Sequence, residues 1–141
     1  MIGALLAKKK TAAAFDALNR HDLAAFMSGW RDDAAFVYPG EGPASGAFEG
    51  RVAVEAWFRR FLDQFPVIRF APRDICVRNT FDCIGNNVIA THWTRQMTNR
   101  DGWEVRDAGV TLVTARFGKI LRVKNFCFDL GDGFRRMRSA E

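Results

Sequence analysis

"YPGEGPASGAFEGRVAVEAWFRRFLDQFP", residues 38–66, decides the fold expected of this chain. Its first half holds four glycines and two prolines, which is typical of a loop with sharp turns. Its second half repeats apolar residues along one stripe of a 3.6-residue period, which predicts a helix with one buried face. The residues of that stripe are Val54, Phe58, Phe61, Leu62 and Phe65. Pro66 ends the helix, because it lacks a backbone N–H and disfavours the α conformation of the residue before it.

The glycine-rich loop directly ahead of this helix has two interpretations. Gly50 and Arg51 stand at the helix N-terminus, whose free N–H groups could hold an anion. However, the Gly-Lys-Ser/Thr of a phosphate-binding loop and the βαβ unit of a dinucleotide site are both missing. The other interpretation is that the glycines let the backbone turn sharply between a strand and a helix packed across a sheet.

The remaining pattern indicates helices first and strands afterwards. Two helices, 4–19 and one beginning after the N-cap candidate Asp22, precede a short strand at 34–39. After Pro66 follow four segments rich in β-branched and aromatic residues, near 67–84, 87–98, 103–117 and 119–130. Short turns between them predict an antiparallel meander. The expected fold is therefore α+β, with the order α-α-β-α-β-β-β-β, in which three N-terminal helices pack on a strongly curved antiparallel sheet to form a cone.

Length and composition exclude several classes of protein. The 141 residues suffice for one domain, 1–141, and the apolar share of 48% is too high for disorder. No apolar run is long enough for a membrane span, and the lysines of "MIGALLAKKK" follow its apolar residues, so we expect a cytoplasmic protein. The net charge of +5 is spread along the chain, which does not favour nucleic acid as a partner. Three cysteines without C-x-x-C spacing indicate neither a disulfide framework nor a metal site.

Several stretches together resemble the SnoaL-like proteins of the nuclear-transport-factor-two-like superfamily, to which ketosteroid isomerase and polyketide cyclases also belong. The stretches are "HDLAAFMSGWRDDAAFVYPG", "FEGRVAVEAWFRRFLDQFP", "IGNNVIATHWT" and "ARFGKILRVKNFCFD". This resemblance implies a cone of helices over a curved sheet, an apolar cavity at its open end for a hydrophobic small molecule, and usually a homodimer. It implies no cofactor, and the glycine-rich loop then helps to form the rim of the cavity.

Chemistry in such a cavity needs polar side chains on the inward strand faces, where burial can raise the pKa of a carboxyl group. If "FGK" is a three-residue hairpin loop, Asn125 and Asp129 share a face with Asp107, and the two carboxylates face each other as a candidate catalytic pair. If the loop is Gly118-Lys119 alone, the last strand is flipped and its basic residues point inward. The first register buries fewer charges and is preferred.

Further candidates lie along the same surfaces. His92 and Tyr38 are candidate catalytic groups that could polarise a carbonyl, although His92 could equally be a hydrogen-bonded core residue and Tyr38 a surface residue. Asn125 is a candidate ligand-binding residue, together with the cavity-wall candidates Trp30, Phe58, Phe61 and Trp93.

Two features depart from better-known relatives. The resemblance to polyketide cyclases would imply a histidine on the penultimate strand, but "VTLVTARF" contains none. Limonene-epoxide-hydrolase-like members carry "RDY" where this chain has "KNF", so Asn125 replaces a carboxylate and cannot act as a general base.

Two functions remain open at this point. The first is a cofactor-independent isomerase or cyclase-type enzyme that acts on a hydrophobic carbonyl compound, with Asp107 or Asp129 as the base. The second is a binding or dimerisation module that uses the same cavity without turnover. A homodimer through the outer face of the meander is expected in either case, because apolar residues occupy both faces of its strands.

Overall fold

Three helices and six strands make up residues 2–128, the part of the chain that the computed structural model describes. The elements are α1 (Ile2–Asn19), α2 (Leu23–Ser28), β1 (Trp30–Tyr38), β2 (Gly46–Glu49), α3 (Arg51–Gln64), β3 (Val67–Val77), β4 (Asn87–Thr98), β5 (Glu104–Arg116) and β6 (Lys119–Cys127). The predicted α+β class is confirmed, with both N-terminal helices and α3 close to their expected bounds. Asp22 caps α2 as predicted, since its Oδ1 accepts a hydrogen bond from the backbone N–H of Ala25 at 3.0 Å.

The sheet differs from the prediction in two respects. Its strand order is β2-β1-β6-β5-β4-β3, and β3 to β6 form the predicted antiparallel meander. However, β1 pairs with β6 in parallel, so the sheet is mixed rather than antiparallel. This is possible because the chain between β1 and the meander includes α3, and a long connection is what a parallel pair requires. The second correction is β2, an additional strand inside the glycine-rich loop, which pairs with β1.

The last hairpin has the preferred register, although its loop is shorter than expected. The turn is the two-residue type formed by Phe117 and Gly118, with φ of 50° and 76°. The strands then shift by one residue, because Leu121 is an extra residue on β6, and beyond this bulge Thr111 lies opposite Asn125. The bulge therefore restores the register that a three-residue loop would give, and it keeps Asn125 on the inner face of the sheet.

The centre of the molecule is filled by aromatic side chains between α2, α3 and the sheet. We call this group the aromatic core; its residues are Phe26, Trp30, Phe36, Trp57, Phe58 and Phe61. Phe58 lies at its centre, with ring centroids 4.6 Å from Phe26, 4.9 Å from Trp57 and 5.0 Å from Phe36. Such tilted and edge-on contacts between buried rings stabilise the fold beyond the burial of their surface.

The glycine-rich loop turns the chain back over α3. The indole Nε1 of Trp57 donates a hydrogen bond to the Ala44 carbonyl at 2.9 Å, which fixes the loop on the helix. Gly50 adopts a φ of 85°, a conformation that suits glycine, and its N–H donates to the Ala34 carbonyl at 2.8 Å. These contacts support the interpretation of the loop as a connection between strand and helix. Within residues 2–128, none of the helices has the length and apolar character needed to cross a membrane.

Candidate functional site

Four polar side chains meet on the inner face of the sheet, at the end where β1 and β6 finish. They are Tyr38, Arg95, Asp107 and Cys127, and we call them the inner cluster. At its centre lies an ion pair between Arg95 and Asp107, whose side chains are each only 2% exposed. Arg95 Nε donates to Asp107 Oδ1 at 2.8 Å, and its Nη2 donates to Asp107 Oδ2. Two parallel hydrogen bonds of this kind fix the plane of the guanidinium as well as its position.

The strand pattern explains how a charged residue comes to be buried here. Alternate residues of β4 from Asn87 to Met97 are buried, and Arg95 belongs to that series. Asp107 lies directly opposite Arg95 on β5, on the same face of the sheet. The guanidinium carbon of Arg95 also lies 4.8 Å from the ring centroid of Trp93 and 5.5 Å from that of Phe70. Aromatic faces can compensate in part for the water that the cation loses.

Tyr38 and Cys127 complete the cluster as neutral groups. The Cys127 thiol lies 3.8 Å from the Tyr38 hydroxyl, and both groups interact with the Arg95 guanidinium. Burial raises the pKa of Tyr38 well above its ordinary value, and the positive charge of Arg95 opposes this only in part. Burial also raises the pKa of the Cys127 thiol. At neutral pH the cluster therefore presents a phenol hydroxyl and a thiol beside a guanidinium that is fixed by a carboxylate.

A hydrogen-bonded chain runs beside the inner cluster across three strands. The indole Nε1 of Trp93 donates to Thr111 Oγ1 at 2.8 Å, and that hydroxyl donates to Asn125 Oδ1 at 2.6 Å. Gly109 makes room for the indole, because an added Cβ would lie 2.6 Å from the Trp93 ring and 2.4 Å from the carbonyl oxygen of Phe126. The ring of Trp93 is thus held close to Gly109 and next to Arg95.

Two of the predicted catalytic residues, Asp107 and Tyr38, lie together in this cluster. Asp107 faces inward as expected, but its partner is Arg95, whereas the prediction placed it opposite a second carboxylate. That second carboxylate, Asp129, lies outside the described residues. Asp107 thus forms an ion pair with Arg95, and its predicted pairing with Asp129 stays a prediction.

His92 lies on the other face of the sheet. Its Nδ1 lies 3.1 Å from Asp74 Oδ2, its side chain is 39% exposed, and its ring is 6.1 Å from that of Phe128. Successive residues of a strand point to opposite faces, so the inward position of Trp93 requires His92 to point outward. The structure thus separates His92 from Tyr38 and Asp107, which weakens its assignment as a catalytic group.

The predicted ligand-binding residues divide into two sets. Trp93 and Asn125 belong to the hydrogen-bonded chain next to the inner cluster. Trp30, Phe58 and Phe61 are members of the aromatic core, each less than a tenth exposed, and they pack mainly against other rings.

Sequence reasoning missed Arg95, Thr111 and Cys127. A signal for Arg95 was present in "IATHWTRQM", because Arg95 falls in phase with the apolar residues Ile89, Trp93 and Met97. A cation in the buried phase of a strand needs a buried partner, which would have pointed to Asp107 across the hairpin. Among residues 2–128, no three His, Cys, Asp or Glu side chains are grouped so that they could hold a metal ion.

Comparisons with known proteins agree with this architecture. The family model described as the SnoaL-like domain matches residues 11–123. None of the curated proteins matches the chain significantly. Among solved structures, TerC co-crystallised with polyporic acid has a TM-score of 0.70 at 20% identity, over 92% of this chain and 94% of TerC.

Two bacterial structures are similar to the same extent. A proposed isomerase from Bacillus subtilis has a TM-score of 0.74 at 17% identity, covering 90% of this chain and 89% of its own. A proposed polyketide cyclase from Xanthomonas campestris has a TM-score of 0.67 at 21% identity, covering 94% of this chain and 97% of its own. Identities this low support the shared fold alone.

Proposed function

We propose a function on the premise that the chain belongs to the SnoaL-like family of nuclear-transport-factor-two-like proteins. The inner cluster binds a small, mainly apolar carbonyl compound. It catalyses an isomerase- or cyclase-type proton transfer on that compound without a cofactor. The proposal rests on one observation: the Tyr38 hydroxyl interacts with the Arg95 guanidinium, and the rings of Phe70 and Trp93 lie against that guanidinium. Both are donors, and both suit an oxygen that gains negative charge during enolisation.

The pKa of Tyr38 supports this role for its hydroxyl. Because burial raises the pKa, the phenol keeps its proton at neutral pH and can donate a hydrogen bond to the carbonyl oxygen of a ligand. Arg95 adds a positive charge that its ion pair with Asp107 fixes in place. A donor that is already oriented needs no rearrangement when the oxyanion forms, and this is the source of its catalytic effect.

The ion pair also limits the choice of substrate. Both oxygens of Asp107 accept hydrogen bonds from Arg95, so only their second lone pairs remain to take a proton. Asp107 in this arrangement positions Arg95 well but is a weak base. It can take a proton from a substrate only where that proton is already acidic. We therefore expect a substrate whose C–H group is already activated by two carbonyl groups, such as a β-dicarbonyl compound.

The same ion pair favours a second candidate function. If Asp107 serves only to hold Arg95, the cluster recognises a carbonyl or carboxyl oxygen and releases the ligand unchanged. TerC, a protein of similar fold, was co-crystallised with polyporic acid.

An exchange experiment separates the two functions. The probe is 1-phenylbutane-1,3-dione in D₂O, and proton NMR follows the loss of its methylene signal with and without the protein. For an enzyme we expect faster exchange, and Tyr38→Phe should slow it by about 10²-fold, the usual effect of removing one oxyanion donor. His92→Asn is the matched control, because His92 lies on the opposite face and its loss should leave the rate unchanged.

Each result has a definite meaning. Quenching of tryptophan fluorescence by the probe, without faster exchange, would support the binding module and reject catalysis of this reaction class. Equal exchange in the native chain and Tyr38→Phe would contradict the assignment of Tyr38. A slower rate in His92→Asn would show that exchange takes place elsewhere.

We also propose that the chain forms a homodimer through the outer face of the meander. Large apolar side chains are exposed there, with Leu112 at 37%, Phe126 at 43% and Phe128 at 65%. An apolar patch of this kind is usually covered by a partner. Light scattering should give twice the chain mass of 15.9 kDa at micromolar concentration. A monomer that persists there would contradict the proposal.

A further inference from the structure

A concave surface lies at the other end of the sheet, away from the inner cluster. It is an open cleft of about 310 Å³ between the end of β3, the start of β4 and the end of β5. It is lined by the apolar residues Val88 and Ala115 and by the polar residues Arg78, Asn79, Asn86, Asn87, Thr114 and Arg116. Val88 and Arg95 are seven residues apart on β4, roughly 23 Å along the strand. The cleft is therefore remote from the site proposed for the carbonyl compound.

The walls of the cleft are fixed by hydrogen bonds between two turns. The N–H of Gly118 donates to the Gly85 carbonyl at 3.1 Å, and the N–H of Phe117 donates to Asn86 Oδ1 at 2.9 Å. An added Cβ on Gly85 would lie 2.1 Å from the Gly118 nitrogen, so glycine is required for this approach. The two turns thus hold their strands at a set distance.

Asn87 orders the connection between β3 and β4, which borders the same cleft. This residue is 7% exposed, and its Oδ1 accepts from the backbone N–H of Asn79 at 3.0 Å. Its Nδ2 donates to the Asn79 carbonyl at 2.7 Å and to Asp82 Oδ2 at 3.3 Å. The connection between β3 and β4 is therefore ordered around a buried amide, and the cleft exists before any ligand arrives.

The charges of the cleft are unbalanced. Two exposed arginines, Arg78 and Arg116, are among the lining residues, and within residues 2–128 neither makes an ion pair or a side-chain hydrogen bond. Arg95, in contrast, is paired with Asp107. The nearest carboxylate in the connection, Asp82, accepts hydrogen bonds from the N–H groups of Ile84 and Gly85 and from Asn87. Two positively charged residues beside one cleft whose lining, in the described part of the chain, contains no acidic residue are an arrangement suited to a multiply charged anion.

We propose that this cleft binds the phosphate group of a small phosphorylated compound. A guanidinium presents its N–H donors in a fork that matches two phosphate oxygens, and two such forks suit one dianionic group. Thr114 and Asn86 are further polar residues of the lining, and Val88, which lies opposite Thr114, offers an apolar contact for the rest of the compound. This inference does not depend on the function proposed for the inner cluster.

Titration of the full chain with phenyl phosphate tests the proposal, with inorganic phosphate and chloride at matched ionic strength for comparison. Heteronuclear NMR follows the backbone amides of Asn86, Thr114 and Arg116. We expect saturable shifts at these residues with phenyl phosphate and with inorganic phosphate, and none with chloride. Arg78→Gln and Arg116→Gln should each weaken binding about tenfold, the loss expected for one charge-assisted contact.

Arg60→Gln is the matched control, because Arg60 is another exposed arginine, on α3, and makes no ion pair within residues 2–128. It should bind phenyl phosphate as the native chain does. Unsaturable shifts, or equal weakening in Arg60→Gln, would overturn the proposal, since either result indicates general attraction to a basic surface. A single-stranded oligonucleotide forms a further arm of the experiment. The proposal would be contradicted if the oligonucleotide bound more tightly than phenyl phosphate and its affinity fell equally in all three variants. That result would indicate a diffuse surface for polyanions.

Discussion

The aromatic core and the inner cluster are neighbours, but they are held together by different forces. In the aromatic core, Phe58 contacts several rings at centroid distances near 5 Å. These contacts are less directional than hydrogen bonds. In the inner cluster, Arg95 and Asp107 are joined by two directional bonds at the cost of burying both charges. The aromatic core stabilises the fold. Burial of the charges in the inner cluster lowers the free energy of unfolding but keeps its polar groups in place.

The difference indicates where function resides. Burial of a charged pair contributes little net stability compared with apolar residues of the same size. Its presence is therefore better explained by what the oriented guanidinium and the Tyr38 hydroxyl can bind.

The largest expected effect is in the aromatic core. Phe58→Ala should lower the free energy of unfolding by about 3–5 kcal/mol, because it empties a buried site that its neighbours cannot refill. Urea denaturation measures the change. Phe81→Ala is the control, since that side chain is 80% exposed and its loss should change stability by less than about 0.5 kcal/mol. Equal effects of the two substitutions would show that α3 does not pack as described.

The next largest expected effect is on the ion pair between Arg95 and Asp107, and it shows whether that pair or the packing around it stabilises the inner cluster. Asp107→Asn should cost about 3 kcal/mol, because the buried charge of Arg95 loses its partner. The double variant Arg95→Met, Asp107→Leu should recover most of that loss, since no uncompensated charge remains. Urea denaturation of the native chain, of Arg95→Met, of Asp107→Leu and of the double variant gives the coupling energy between the two residues. A double variant less stable than either single variant would mean that the pair itself stabilises the fold.

The smallest effect concerns the pH dependence of Tyr38, which is the single tyrosine of the chain. Its pKa is raised in the folded state above the ordinary value of 10.0, so the folded state favours the protonated phenol. The stabilisation is complete below pH 10 and is lost as the pH rises above it, by about 1.4 kcal/mol per pH unit.

Absorbance near 295 nm reports this ionisation without interference from another tyrosine. We expect no phenolate signal from the folded chain at pH 11, and a full signal once urea unfolds it. Tyr38→Phe should lose less stability than the native chain between pH 10 and pH 11. Phenolate absorbance in the folded chain near pH 10 would contradict the buried position of the hydroxyl.

The helices and the meander were predictable because their signals are local. The apolar stripe ending at Phe65 and the turn residues between strands depend on neighbours in sequence, and both specify elements that the structure contains. The parallel pairing of β1 with β6 was missed, since it joins residues almost ninety positions apart and leaves no local pattern. The strand β2 was missed because glycine and alanine have weak strand preferences, and its pairing with β1 overrides them.

The candidate site was predictable only in part. Strand alternation placed Asp107 on the inner face, whereas Tyr38 was a candidate only because its hydroxyl could point inward. The register that brings Asn125 inward was correct. The reason predicted for that register, a three-residue hairpin loop, was wrong. The turn is shorter, and a bulge at Leu121 compensates for it. Such compensation cannot be recognised from the spacing of residues alone. Arg95 was missed because charged residues on a strand are ordinarily exposed, and its burial depends on a partner in the next strand.

The pairing of β1 with β6 has a consequence for how the chain is made. As synthesis proceeds, β1 leaves the ribosome long before β6, its parallel partner, has been translated. Until then only the short strand β2 can cover β1, and one of its two edges stays open to pairing with another nascent chain. Contacts between distant segments form slowly, because the loop between them must first close. The last strand of the meander therefore completes the sheet and also ends the period in which the chain is most prone to aggregate.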